Sequence, residues 1–202
     1  MIRNLLTTIV VIVWLFAVTQ AQAQSDFFQG KTIRIIVGYS PGGGYDALAR
    51  MLSRQMPKHI PGHPTILVEN MAGAGSLLAA NHIFKVAKPD GLTMGHFSGG
   101  FVYSQVMGQP GIELDMQKFV FVGAVARDES AIAVTKASGV NTMERWFAAK
   151  TPLKMGTTGP GAFGTDNVLK VIKVALNLPM QIISGYKGTA DMRLAVESGE
   201  LD

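Results

Sequence analysis

The stretch Thr32 to Arg50, TIRIIVGYSPGGGYDALAR, limits the fold more than any other, because an apolar run breaks at Pro-Gly-Gly-Gly and resumes at helical spacing. Ile33, Ile35, Ile36 and Val37 make a short, β-branched, almost continuous apolar segment, the pattern of a strand covered on both faces in a parallel sheet. Pro41 stops the ladder, and Gly42, Gly43 and Gly44 permit backbone angles and close approaches that side chains forbid. Leu48, Met51 and Leu52 then recur with the helical period, while Arg50, Ser53 and Arg54 fall mostly off that stripe. The strand, turn and helix leave bare N–H groups at a helix start, where an anion is well held. Glycines in such loops also serve simply to make the turn, and both readings stand. Asp46 reads as a cap or first-turn acid of its helix; as a general base it has no partner nearby.

A hydrophobic fraction of 48% and a charged fraction of 16% over 202 residues describe a folding chain. Zero cysteines exclude disulfides, thiolate metal sites and cysteine nucleophiles. The charge of +4 is spread without a basic run interleaved with aromatics, so nucleic-acid binding has no support. Met1 to Ala23 reads as a secretory signal peptide, with Arg3 in the n-region, an apolar core from Ile9 to Val18 and a small-x-small cleavage site at Ala21-Gln22-Ala23. An uncleaved anchor would want about 20 apolar residues, and Thr7, Thr8 and Thr19 keep the run short. The mature chain is expected outside the cytoplasm, in the periplasm, with no stable membrane anchor.

Pro57 ends the first helix, and Lys58 to Pro64 is a turn. His59 and His63 have the spacing of a helical metal pair, but Pro61 and Gly62 forbid that helix, so both read as surface histidines. Thr65 to Val68 is a second strand, and Glu69 to Gly75 a second glycine-rich loop. It opens onto a helix from Ser76 to Val86 with Leu77, Ala80, Ile83 and Phe84 on one face. Leu92 to Phe97 is a third strand, ending in Ser98-Gly99-Gly100. Strands alternating with helices predict a parallel sheet with all three loops at its carboxyl edge, where ligands of such sheets bind. His82 and His96 read as structural. Phe101 to Met107 predicts a short helix, and Gly108 to Met116 an irregular crossing segment. Phe119 to Val125 and Ile132 to Thr135 predict strands across a charged turn at Arg127-Asp128-Glu129. Asn141 to Glu144 has capping-box spacing before a helix carrying Trp146 and Phe147. Leu153 to Gly156 predicts a strand, Asp166 to Leu176 a helix with Val168, Leu169, Ile172 and Ala175 inward, Gln181 to Ile183 a strand, and Ala190 to Glu197 a helix.

Gly159, Gly161 and Gly164 spell GxGxxG between a strand and a helix. A dinucleotide site would also need an acid at the end of the next strand. That strand ends Ile183-Ser184-Gly185-Tyr186 with no acid before Asp191, so no nucleotide cofactor is expected, nor any other cofactor or metal. What remains is a helix start with bare N–H groups and the hydroxyls of Thr157, Thr158 and Thr165, which suits a carboxylate.

The ordered set SPGGGYDALAR, ILVENMAGAGSLLAAN, a PDG turn, GTTGPGAFGT and GYKGTADM resembles the solute-binding proteins of tripartite tricarboxylate transporters, the Bug or TctC-like family. The resemblance covers nearly all of the chain after the leader. It implies a two-lobed α/β, periplasmic-binding-protein-like flytrap that captures a small carboxylic acid and delivers it to the permease subunits of a membrane transporter. The expected division is a first lobe at 24–108, a hinge at 109–118 and a second lobe at 119–202. The resemblance further implies that Gly42, Gly43, Gly44 and Asp46, with Gly75, Ser76 and Ser98, face Thr158, Gly161, Gly164 and Thr165 across the ligand. Lys187 could add a charge or lie on the surface, and Tyr45 stands where many relatives have a smaller residue. Relatives continue beyond Gly199-Glu200-Leu201-Asp202, so a truncated second lobe, weak binding and marginal stability are expected.

The competing readings are a secreted hydrolase or oxidoreductase, and a sensor that presents its closed state to a signalling receptor. No GxSxG elbow, HExxH or catalytically spaced acid pair occurs, and Ser98 in HFSGG lacks the elbow's preceding glycine. The chain is therefore expected not to be an enzyme.

Overall fold

Two parallel sheets organise the chain, seen in a computed structural model that describes residues 27–126, 131–159 and 162–202. The expected leader, the charged turn at Arg127 to Glu129 and Gly161 lie outside the described residues. In the first sheet β1 (Thr32–Val37) is central, between β2 (Thr65–Asn70) and β3 (Thr93–His96). Ile36 sits opposite Glu69 on one side and Gly95 on the other, and its side chain is wholly buried, as the unbroken apolar run requires.

The strand order β2-β1-β3 has a consequence for function. The chain steps one way from β1 to β2 and then back past β1 to β3, so right-handed crossovers put α1 (Gly44–Gln55) and α2 (Leu77–Lys85) on opposite faces. Ile35, Val37 and Ala49 form the core on the α1 side, with Tyr45, Leu52 and Val68 around them. Met51, expected on the inward stripe of α1, is exposed, because Asp46 and Ala49 take the buried face. On the other side Ala80 packs with Phe101, Leu114 and Met116, so the crossing segment is built onto the first unit rather than spanning solvent. Phe101 opens the short α3 (Phe101–Val106). At the carboxyl edge the segment after β1 packs beside the one after β3, with Gly38 against Phe97, at the position where the strand order reverses.

The second sheet pairs β4 (Leu153–Thr157) with β5 (Met180–Ser184). Around it lie α4 (Met143–Phe147), α5 (Val168–Ala175) and α6 (Thr189–Glu197). Trp146, Leu153, Met155, Leu169, Leu178 and Met180 make its core, and the Trp146 indole donates to Pro179 O at 3.3 Å. Ala175, expected inward, is exposed.

Two other expectations are corrected. The segments Phe119 to Val125 and Ile132 to Thr135 are irregular rather than strands, and Val120 and Val122 are 90% and 80% exposed. A β-branched run supplies propensity, but a strand needs a ladder partner, and no described strand lies beside these two. The cap of α4 is Thr142, whose hydroxyl accepts the Arg145 N–H at 3.3 Å, one residue later than the capping-box frame beginning at Asn141. Among the described residues no helix is long and apolar enough to cross a membrane.

Ile36→Ala should lower the unfolding free energy in urea by about 2–5 kcal/mol and Ile36→Val by about 0.5–1.5. Val120→Ser, on an exposed segment, should stay within about 0.5 kcal/mol of the parent.

Candidate functional site

The glycine turn after β1 is closed by a buried carboxylate. Asp46, 3% exposed in the first turn of α1, accepts the Gly42 N–H and the Arg50 Nε–H through Oδ2 at 2.9 Å each. Its Oδ1 accepts the Asn70 amide at 2.9 Å, and the same amide donates to Tyr39 O at 3.0 Å. Asp46 therefore ties the turn, the helix and the end of β2 together. The Arg50 guanidinium is the largest cause holding its carboxyl at about 2; burial opposes this, and the Gly42 and Asn70 donors reinforce it. Asn70, which sequence reasoning passed over, carries no local motif beyond its place at the end of β2.

The first sheet's carboxyl edge carries buried hydroxyl residues. Ser76 is wholly buried and its Oγ accepts the Ser98 N–H at 3.0 Å, which brings together two of the expected site residues. The loop from Gly73 to Ser76 stays at positive φ throughout (154°, 47°, 62° and 78°), a conformation that costs Ala74 and Ser76 about 1–3 kcal/mol each. Gly38 must lack a side chain, because a Cβ there would overlap the Ser76 side chain. Burial pushes the Tyr39 hydroxyl up, against hydrogen bonds from Ser76 and Ser98, so it remains a neutral donor. Tyr45, the large residue of the turn, lies between Tyr39 and His96 at centroid distances of 4.4 and 4.7 Å, its ring tilted to both.

In the second unit Thr158 and Thr165 share a contact at 3.0 Å between hydroxyls, and the Thr158 N–H donates to Thr165 Oγ1 at 3.3 Å. The loop enters α5 through a π-turn, Phe163–Asn167, in which the N–H groups of Thr165, Asp166 and Asn167 all reach Ala162 O. Asp166, not recognised from sequence as a site residue, is wholly buried and accepts from Lys170 Nζ at 2.6 Å. Its Oδ1 also lies 3.5 Å from Thr157 Oγ1, so it braces the strand end beneath the threonines. The four-residue spacing of Asp166 and Lys170 was the available signal.

The two units meet along a seam. The turn at Gly42 to Gly44 meets the segment Lys187 to Asp191. The Gly44 N–H donates to Thr189 Oγ1 at 3.3 Å, and the Ser40 N–H to Lys187 O at 3.0 Å. The loop at Gly73 to Ser76 is the one that meets the second glycine loop: an ideal Cβ on Gly75 would lie 2.8 Å from Ala162 Cβ, and one on Gly159 3.0 Å from Gly75 N. Gly43, Gly75, Ser76, Ser98 and Thr158 are buried, whereas Gly42, Gly44, Gly164 and Lys187 are exposed. Thr165 is half-buried, and with Gly164 it borders a cavity of about 260 Å³ in the second unit that Met155, Leu169, Met192 and Thr189 also line. Such a seam offers neutral amide and hydroxyl donors. Among the described residues no cluster of three His, Asp or Glu side chains could hold a metal.

A family model described as "Tripartite tricarboxylate transporter family receptor" matches residues 48–202. A UPF0065 protein from the tcbD-tcbE intergenic region of Pseudomonas sp. (strain P51) is 37% identical over 188 residues, 91% of this chain and 54% of that protein. The structure of periplasmic binding protein BugD superposes with a TM-score of 0.61 at 19% identity, over 85% of this chain and 57% of BugD. MatC from Rhodopseudomonas palustris, solved with bound malate, gives 0.60 at 22% identity, over 85% and 58%. The chain spans about half the length of the curated relatives it matches.

The Asp46 carboxyl lies below its ordinary value of 3.8 in the folded chain. Its contribution is therefore complete above that value and drains away as pH falls towards 2. With the Arg50 partner half exposed to solvent, we expect ~1–2 kcal/mol from it at neutral pH. Urea unfolding at pH 7 and at pH 2.5 should show that Asp46→Asn removes this amount at pH 7 and only about a third of it at pH 2.5.

Proposed function

This chain belongs to the tripartite tricarboxylate transporter receptor family, and from that premise we propose that it captures a small carboxylic acid at the seam between its two units. Members of the family are solute-binding proteins, not enzymes. The finer reading is that the chain is exported to the periplasm through Met1 to Ala23 and delivers its acid to the permease subunits of a tripartite transporter. The division at 24–108, 109–118 and 119–202 belongs to the same reading, with the two units as the lobes of a flytrap.

The observation that carries it is the convergence of two glycine-bared loops on one seam lined by hydroxyls. Gly75 and Gly159 let the loops approach at backbone distance. On this reading Ser76 and Ser98 from one unit and Thr158 and Thr165 from the other supply hydroxyls to the acid, the donor set that suits a carboxylate without an ion pair. The malate held by MatC supports the same ligand class, since the two chains share a fold.

A panel of mono-, di- and tricarboxylates in a thermal-shift assay tests this on the chain from Gln24 to Asp202. An acid present at about a hundred times its dissociation constant should stabilise by roughly 2.7 kcal/mol. Gly75→Ala, which introduces a methyl against Ala162 at a position with φ of 62°, should abolish that response. Stabilisation by no carboxylate in the panel, or an undiminished response in Gly75→Ala, would count against the seam as the binding site.

A further inference from the structure

The first glycine turn is held by the second unit at three points, all from one short segment. Ser40 donates its N–H to Lys187 O at 3.0 Å and its hydroxyl to Asp191 Oδ2 at 2.6 Å, and Gly44 donates its N–H to Thr189 Oγ1 at 3.3 Å. The Ser40–Asp191 bond joins residues 151 apart in sequence, and Ser40 is only 7% exposed. It is the strongest of the three by chemistry, a short hydroxyl-to-carboxylate bond with a charged acceptor. Neighbouring glycines let the surfaces close around it. A Cβ on Gly188 would overlap the Ser40 hydroxyl, and one on Gly43 would come within 2.9 Å of Thr189 Oγ1.

We propose that Ser40 and Asp191 form a latch that holds the two units together across the seam. Asp191 acts as a positioning residue: through Ser40 it fixes where the β1 turn stands against the start of α6. The segment Lys187 to Asp191 presents an anionic carboxylate, a hydroxyl and a carbonyl to the donors of the turn. These donors of the turn are thus satisfied by the protein's own acceptors, and parting the two units must break a charge-assisted bond.

Amide hydrogen exchange by NMR on the ligand-free chain reads this directly, because the residue-40 N–H is bonded across the seam while the Arg34 N–H, donated to Leu92 O at 2.8 Å, is bonded inside the first unit. Ser40→Ala and Asp191→Ala should each speed exchange at residues 40 and 44 by about tenfold and leave Arg34 unchanged, the scale expected for a lost bond to a charged group. The double variant should be no faster than either single one, because both remove the same bond. Asp191→Asn, which keeps the side-chain shape, covers the case in which Asp191→Ala does not fold and should speed exchange at least threefold. Unchanged exchange at residue 40, equal acceleration at Arg34, or a double variant that multiplies the two effects would overturn the latch. No carboxylate is present, so this outcome is independent of whether the seam binds one.

Discussion

The structure of the first unit depends on one carboxylate that is not at its surface. Asp46 faces inward because its Oδ2 satisfies Gly42, a glycine at φ of 80° whose N–H would otherwise point into the turn without a partner. The other oxygen is taken by Asn70, the last residue of β2, and Asn70 in turn holds Tyr39 O. One acid therefore connects the end of β1, the start of α1 and the end of β2. Without it the three glycines would leave the turn with many backbone states and no reason to keep one. Arg50 supplies the countercharge from one helical turn away, largely in solvent, so the buried charge is compensated without burying a second.

The same logic holds at the loop after β2, with strain in place of charge. Ala74 and Ser76 sit in a left-handed conformation that residues with a Cβ resist. The geometry persists because Ser76 is packed against Gly38 and accepts the Ser98 N–H, so leaving the strained state would break contacts with the loops after both β1 and β3. Strained backbone at the carboxyl edge, at the point where the strand order reverses, is where a parallel sheet concentrates binding groups.

Much of the first unit was legible because its signals are local. Ile33 to Val37 announces a buried strand by composition, and Leu77, Ala80 and Phe84 announce α2 by period. Glycine positions were legible as loops, but the contact of the first turn with Lys187 to Asp191 was not, because contacts between units leave no periodic trace. Ser40 and Asp191 are ordinary polar residues until the fold places them 2.6 Å apart. Reading failed outright at Phe119 to Val125, where β-branched residues promised a strand. Propensity speaks for the backbone of one segment, whereas a strand is a property of two.

The chemistry of the seam explains why so few charges are needed there. A fully buried cation would cost several kcal/mol in desolvation before any ligand arrived, and would pay this in the empty state as well. Hydroxyls and amides avoid that cost because acceptors within the protein can satisfy them, as Ser76 does for the Ser98 N–H and Thr189 for the Gly44 N–H. A donor set that can exchange one acceptor for another gives up little on release. On the proposed reading, that suits a protein that must both hold an acid and give it away. Asp166 fits the same pattern: a carboxylate paired with Lys170 beneath Thr157 braces the loop from behind, while the hydroxyls of Thr158 and Thr165 satisfy each other within it.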